Sequence, residues 1–184
     1  MTEASDVRVL TVCTHNRTRS VMMAALIERD LRARGHSPVL RSAGFGPEGI
    51  SAIGDAVDAM ARRGLDVSAH RSQQVRADLL DEADLIVAAE RGHVVTIAAM
   101  SPAAFARTMT LPEALDRAAT GVGVGASDVR SWAATLTEGR RASEYLRAPV
   151  PEVFDPTGSA RRAFEAAVVD IEAQCAQLVA SMPS

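Results

Sequence analysis

Aromatic side chains are scarce: they make up 3% of the 184 residues, with Trp132 and Tyr145 the single tryptophan and tyrosine. A core must therefore be built mainly from Ala, Val, Leu, Ile and Met, and stacked platforms for single-stranded nucleic acid are not expected. Cysteine is scarcer still. Cys13 and Cys175 lie far apart and outside any CxxC or Cys/His ligand pattern, which argues against a disulfide framework and a zinc site and leaves no expected metal. No strong charge of one sign is present either, since the formal net charge is -3, so a broad pull toward nucleic acid or anionic lipid is not expected. The pairs Arg62-Arg63, Arg140-Arg141 and Arg161-Arg162 are interspersed with acids and read as solvated helix faces. No apolar run reaches spanning length, and Met1 to Asp6 is polar and acidic without a basic or an apolar leader region. The expectation is a cytoplasmic protein with no membrane partner.

What is present is enough apolar material, 47% of residues against 23% charged, for one compact α/β domain over residues 1–184. Val7 to Val12 is a β-branched run followed by a polar stretch and then by Val21, Met22, Ala25, Leu26 and Leu31 at helical spacing, which predicts strand, loop and a helix stopping at Gly35. Further strands are predicted at Val39–Ser42, Ala83–Ala88 and Arg107–Thr110. Further helices are predicted at Ala56–Arg63, His93–Met100 and Ala160–Met182, with Ser127–Arg147 also helical and Ala119–Ala126 a Gly-rich link. The alternation favours a parallel sheet between helices. The Gly121–Gly125 run lacks the preceding strand that a dinucleotide fingerprint needs.

Cys13-Thr14-His15-Asn16-Arg17-Thr18-Arg19-Ser20 joins the first strand to the first helix, with a thiol at one end and a guanidinium near the other. Backbone N–H groups in such a turn converge on a point, and the helix start adds unpaired N–H groups and the positive end of its dipole. The same field favours the thiolate of Cys13. Arg19 can grip two phosphate oxygens and stabilise them as the phosphoryl group moves onto sulfur. A thiol–phosphate intermediate also needs a proton for the leaving oxygen and later a base for water. Asp155, held extended by Pro156 just before the last helix, is the candidate for both.

At this point the residues resemble the low-molecular-weight protein tyrosine phosphatases, whose loop V-C-x-G-N-x-C-R-S and late D-P appear here as VCTHNRTRS and DPTG. Ser42-Ala43-Gly44, Gly64-Leu65-Asp66 with His70-Arg71, and Asp84-Leu85-Ile86 extend the resemblance over almost the whole chain. It implies a single-domain three-layer α/β/α sandwich with a central four-stranded parallel sheet. It also implies a phosphocysteine phosphatase with Cys13, Arg19 and Asp155 catalytic, and Thr14, His15, Asn16, Arg17, Thr18 and Ser20 forming the phosphate loop. Asn16, Ser20, Ser42 and His70 match the family's supporting hydrogen-bond network. The implied partners are a phosphorylated protein, expected to carry phosphotyrosine, or a small aryl phosphate, with inorganic phosphate released and no cofactor.

Three departures stand in the loop: His15 replaces the usual glycine, Thr18 the second loop cysteine and Val21 the proline. A side chain at residue 15 is expected to strain the loop or narrow its mouth. Only Phe45 and Phe154 offer nearby rings, and Thr157 and Gly158 follow Asp155-Pro156. Two other readings exist. An arsenate reductase on this fold would need further cysteines to resolve its adduct, and only Cys175 remains. A non-catalytic phosphate- or phosphopeptide-binding module would not need Cys13, Arg19 and Asp155 together.

Overall fold

The computed structural model describes residues 7–183, so the polar start Met1–Asp6 lies outside the described residues. Four parallel strands form one sheet in the order β2-β1-β3-β4: β1 Arg8–Val12, β2 Val39–Ala43, β3 Leu85–Ala88 and β4 Thr108–Thr110. Around them lie α1 Arg19–Ala33, α2 Gly54–Ala61, α3 Ala77–Glu82, α4 Arg91–Met100, α5 Leu111–Ala118, α6 Val129–Leu136, α7 Ala142–Tyr145 and α8 Arg161–Ser181.

Strand side chains alternate between two cores, as the period of two requires. Val9, Leu85 and Val87 pack with Met22, Met23, Leu26 and Ile27 of α1 and with Val168, Ile171 and Leu178 of α8. On the opposite face Leu10, Val12 and Ile86 meet Leu79 and Leu80 of α3 and Ile97 of α4. Both faces of β1 and β3 are therefore covered, and their apolar runs read as continuous rather than alternating. The result is an α/β/α sandwich.

Several expected elements differ in extent. The helix expected at His93 starts at Arg91, and α3 and α5, of six and eight residues, were not among the expected elements. A 3-10 turn at Pro102–Arg107 precedes β4, which is only three residues long. The helix expected over Ser127–Arg147 is two helices, α6 and α7. The break falls at Gly139, whose φ of 75° belongs to the left-handed region that interrupts an α-helix. Among the described residues no helix is long and apolar enough to cross a membrane.

Candidate active site

β1 and β3 lie at the centre of the sheet, and their C-terminal ends open onto one crevice, where ligands of open parallel sheets bind. Residues 13–18 follow β1 and curl into the start of α1. Four of their carbonyls are engaged by the surrounding scaffold or the first turn of α1. Thr14 O accepts from the N–H groups of Phe45 (2.8 Å) and Gly46 (3.0 Å), Arg17 O from Ile53 N–H (3.0 Å) and Thr18 O from Met22 N–H (3.0 Å). Asn16 O faces His70 Nε2 at 2.7 Å. With those carbonyls engaged, the N–H groups of Thr14 to Thr18 have no acceptor among the described residues. That is the concave donor arrangement that holds anions.

Asn16 is the pin of the loop. It is fully buried and has a φ of 52°, the one positive φ outside glycine among the described residues, a conformation asparagine tolerates better than most. Its Nδ2 donates to Ser20 Oγ (3.0 Å) and Ser42 Oγ (2.9 Å), and its Oδ1 accepts from Gln73 N–H (2.9 Å). Because Ser20 Oγ already accepts from Asn16, its own hydrogen is available to Cys13 Sγ, 3.0 Å away. Gly44 completes the contact between the β2 end and the loop: a Cβ there would come within 2.8 Å of Asn16 N and Cys13 O. His70 supports the backbone of Asn16 rather than the serine cluster; burial and the charge of Arg71 push its pKa down, opposed by the bond to Asn16, so it is a neutral donor.

The strain expected at His15 is absent. Its φ is not positive, its side chain is exposed, and Gly46 leaves it room, since a Cβ there would sit 2.8 Å from His15 Nδ1. Arg17 Nε is tied to Ser51 O at 2.9 Å, and Thr18 Oγ accepts from Thr157 Oγ at 3.1 Å.

Arg19 is buried, at 3% exposure, with its charge met from three directions. Nη1 contacts Glu90 Oε1 at 2.6 Å and donates to Val153 O at 3.1 Å, and Nη2 contacts Asp155 Oδ2 at 2.9 Å. Asp155 is thus brought from the far end of the chain onto the guanidinium. Burial acts to raise its pKa, but the N–H of Thr157 and the charges of Arg19 and His15 outweigh it, and the net position is below the usual carboxylate range.

Glu90 and His93 were not foreseen as part of the site. Glu90 N–H donates to His93 Nδ1 (3.1 Å), which leaves the ring hydrogen on Nε2, facing Thr14 Oγ at 3.0 Å. Burial and the charge of Arg19 keep His93 below its usual pKa, against the pull of Glu90, Glu152 and Asp155. The only sequence signal for the pair was a helix start immediately after the third apolar strand, and placing that start at His93 concealed it. Phe45 stacks on His93 with centroids 5.7 Å apart, while the ring of Phe154 is 62% exposed beside Asp155. Cys175 is buried on α8, where burial pushes its thiol pKa far up. No cluster of three His, Cys, Asp or Glu side chains suited to a metal occurs among the described residues.

A parallel-sheet sandwich with a thiol, an N–H cradle, a buried arginine and a carboxylate on one crevice defines a class of phosphate-handling α/β proteins. Residues 8–124 match the family described as low molecular weight phosphotyrosine protein phosphatase, and the chain belongs to that family. It is 38% identical over 96 residues to a probable low molecular weight protein-tyrosine-phosphatase, EpsP, of Ralstonia nicotianae, a match covering 52% of this chain and 63% of that one. The chain therefore spans less than two thirds of that relative. It is 36% identical over 107 residues to a protein-arginine-phosphatase of Geobacillus stearothermophilus, covering 58% and 70% of the two chains. The solution structure of a low molecular weight protein tyrosine phosphatase from Bacillus subtilis shares the fold, with a TM-score of 0.72 at 23% identity over 95% of this chain and 96% of that one.

Proposed function

We propose that this protein is a cysteine-dependent phosphatase acting on phosphorylated proteins, with phosphotyrosine the favoured class. The observation that carries the reading is the 2.9 Å contact between Arg19 and Asp155, which unites the loop of Cys13 with a carboxylate from a distant segment. In this reading the phosphate dianion enters the N–H cradle and takes up the guanidinium face of Arg19. Cys13 sulfur attacks phosphorus, the P–O bond of the ester breaks, and Asp155 gives its proton to the leaving oxygen. Water then attacks the phosphocysteine, Asp155 takes a proton from it, and sulfur departs with a hydrogen bond from Ser20. Inorganic phosphate is released.

The low pKa of resting Asp155 fits this order. A bound dianion competes for Arg19 and adds negative charge nearby, and both effects favour the protonated acid when it is needed. Phe154, exposed and adjacent to Asp155 in the chain, is the ring available to contact an aryl leaving group. A second reading, phosphoarginine, draws on the arginine-phosphatase relative and on a carboxylate that already pairs with a guanidinium, so that Asp155 could hold the substrate's own.

The test is turnover in chelator against aryl phosphates, phosphotyrosine peptides, phosphoarginine peptides and arsenate. Aryl phosphates and phosphotyrosine peptides are expected to be hydrolysed, Cys13→Ser to abolish turnover, and Asp155→Ala to slow poor leaving groups most, by about 100-fold. Unchanged turnover in Cys13→Ser refutes the mechanism, and a preference for phosphoarginine replaces the substrate class.

A further inference from the structure

Thr18, one of the loop positions where the chain departs from its family's pattern, touches Thr157, the residue after Asp155-Pro156. Thr157 Oγ donates to Thr18 Oγ at 3.1 Å. Thr18 immediately precedes α1, where a threonine hydroxyl ordinarily accepts from an N–H of the first turn. Here it makes no such bond, although the side chain is buried. Its hydroxyl faces the other loop instead.

The partner is equally committed. Thr157 N–H donates to Asp155 Oδ1 at 3.0 Å, and this bond is one of the influences that lower the Asp155 pKa. On the other side of Asp155, Val153 N–H donates to Ala89 O at 2.8 Å and Val153 O accepts from Arg19. Asp155 therefore sits midway between two anchors, each two residues away. One runs to Arg19 and the other to Thr18, both at the start of α1. Val153 and Pro156 are buried, whereas Phe154, Asp155 and Thr157 are exposed, so the aim of the carboxylate depends on these few fastenings.

We propose that the Thr18–Thr157 hydroxyl pair is a latch between the two loops, which positions Asp155 over the cradle and thereby sets how well poor leaving groups are expelled. The inference rests on the phosphatase reading above. Both threonines are positioning residues that act through Asp155. A leaving group that needs its proton feels the latch, while one that departs as a stable anion scarcely does.

Thr18→Val and Thr157→Val remove the hydroxyls at nearly constant volume. The readout is the ratio of kcat/KM for p-nitrophenyl phosphate to that for phenyl phosphate, which is expected to widen about tenfold in each variant. The double variant should be no worse than either single one, because both remove one shared contact. Thr18→Ser should restore the ratio. Unchanged ratios, or additive losses, overturn the latch. Amide exchange of Thr157 N–H, read by NMR, tests the same contact without turnover: it should quicken about tenfold in Thr18→Val, and an unchanged rate overturns the latch. A wild-type protein that hydrolyses neither ester sinks the phosphatase reading instead, and the exchange measurement then decides the latch alone.

Discussion

Single atoms decide whether the loop can exist in its present form. Asn16 carries a left-handed backbone and three side-chain hydrogen bonds at once, two of them fully buried. Alanine would lose the bonds and incur left-handed strain, whereas glycine would lose the bonds alone. We expect Asn16→Ala to cost about 3 kcal/mol, from buried polar groups left unpaired plus about 1 kcal/mol of backbone strain. Asn16→Gly should recover that last part, and urea melts of the two variants measure the difference. A glycine variant less stable than the alanine one would show that the backbone angle is not what asparagine relieves. Gly44 has the converse role, since any side chain there meets backbone atoms that have no room to shift.

At the scale of elements, the segment after β4 is held by one buried carboxylate. Glu113 on α5 meets Arg117 (3.0 Å), Arg140 (3.2 Å) and the hydroxyl of Tyr145 (2.7 Å), and the Arg140 guanidinium packs against the rings of both Phe105 and Tyr145, 4.1 and 4.7 Å from their centroids. This cluster fastens α7 to α5, upstream of the Pro151–Asp155 stretch. A buried carboxylate survives only because it is paired so fully. Tyr145→Phe removes one charge-assisted bond and should cost about 2 kcal/mol at neutral pH.

Burial, then the bond to Glu113 and its charge, hold the Tyr145 phenol protonated well above its ordinary value. A raised folded-state pKa means stability that is fully present below the unfolded value, about 10, and lost as pH climbs above it. Thermal melts should therefore fall between pH 10 and 12 in the wild type and less steeply in Tyr145→Phe. Tyr145 is the only tyrosine, so absorbance at the tyrosinate band reads it directly. Tyrosinate appearing at pH 10 while the protein remains folded would contradict the buried pairing.

Across the whole molecule every side-chain cation other than histidine is an arginine, because all 20 basic residues are Arg. Their planar forks allow shared bridges: Glu172 of α8 takes Arg29 of α1 (2.7 Å) and Arg63 just beyond α2 (2.6 Å), while Glu165 takes Arg62 and Arg63. These bridges lash α8 across the layer that also carries α1, and thus steady the helix whose N-terminal end follows the Asp155 loop. The hydrogen bond from Arg29, with that from Arg63, pulls the Glu172 carboxyl below its usual range against the effect of burial. Its contribution is present above the unfolded value, about 4.3, and disappears as pH falls through the lower folded one. Glu172→Gln should accordingly show a shallower loss of melting temperature between pH 5 and 3 than the wild type. Parallel acid slopes would mean that this bridge adds nothing to stability.

Local chemistry in the chain determined a good deal. The β-branched run before Cys13, the spacing of Val21 to Leu31 and the glycines after helices depend on contacts within a few residues, and they yielded the strands, the long helices and the loop with Cys13 and Arg19. Asp155 was legible only through its proline and the family resemblance. Tertiary structure alone decided that Glu90 and Val153 share the Arg19 guanidinium, that His93 faces Thr14, and that Thr18 turns its hydroxyl to Thr157. It also decided the break at Gly139, where a helical pattern had suggested continuity. The reason is geometric: backbone propensity acts along the chain, whereas the partner of a side-chain donor is whichever acceptor the packed sheet and helices bring within 3 Å, and sequence separation carries no record of that distance.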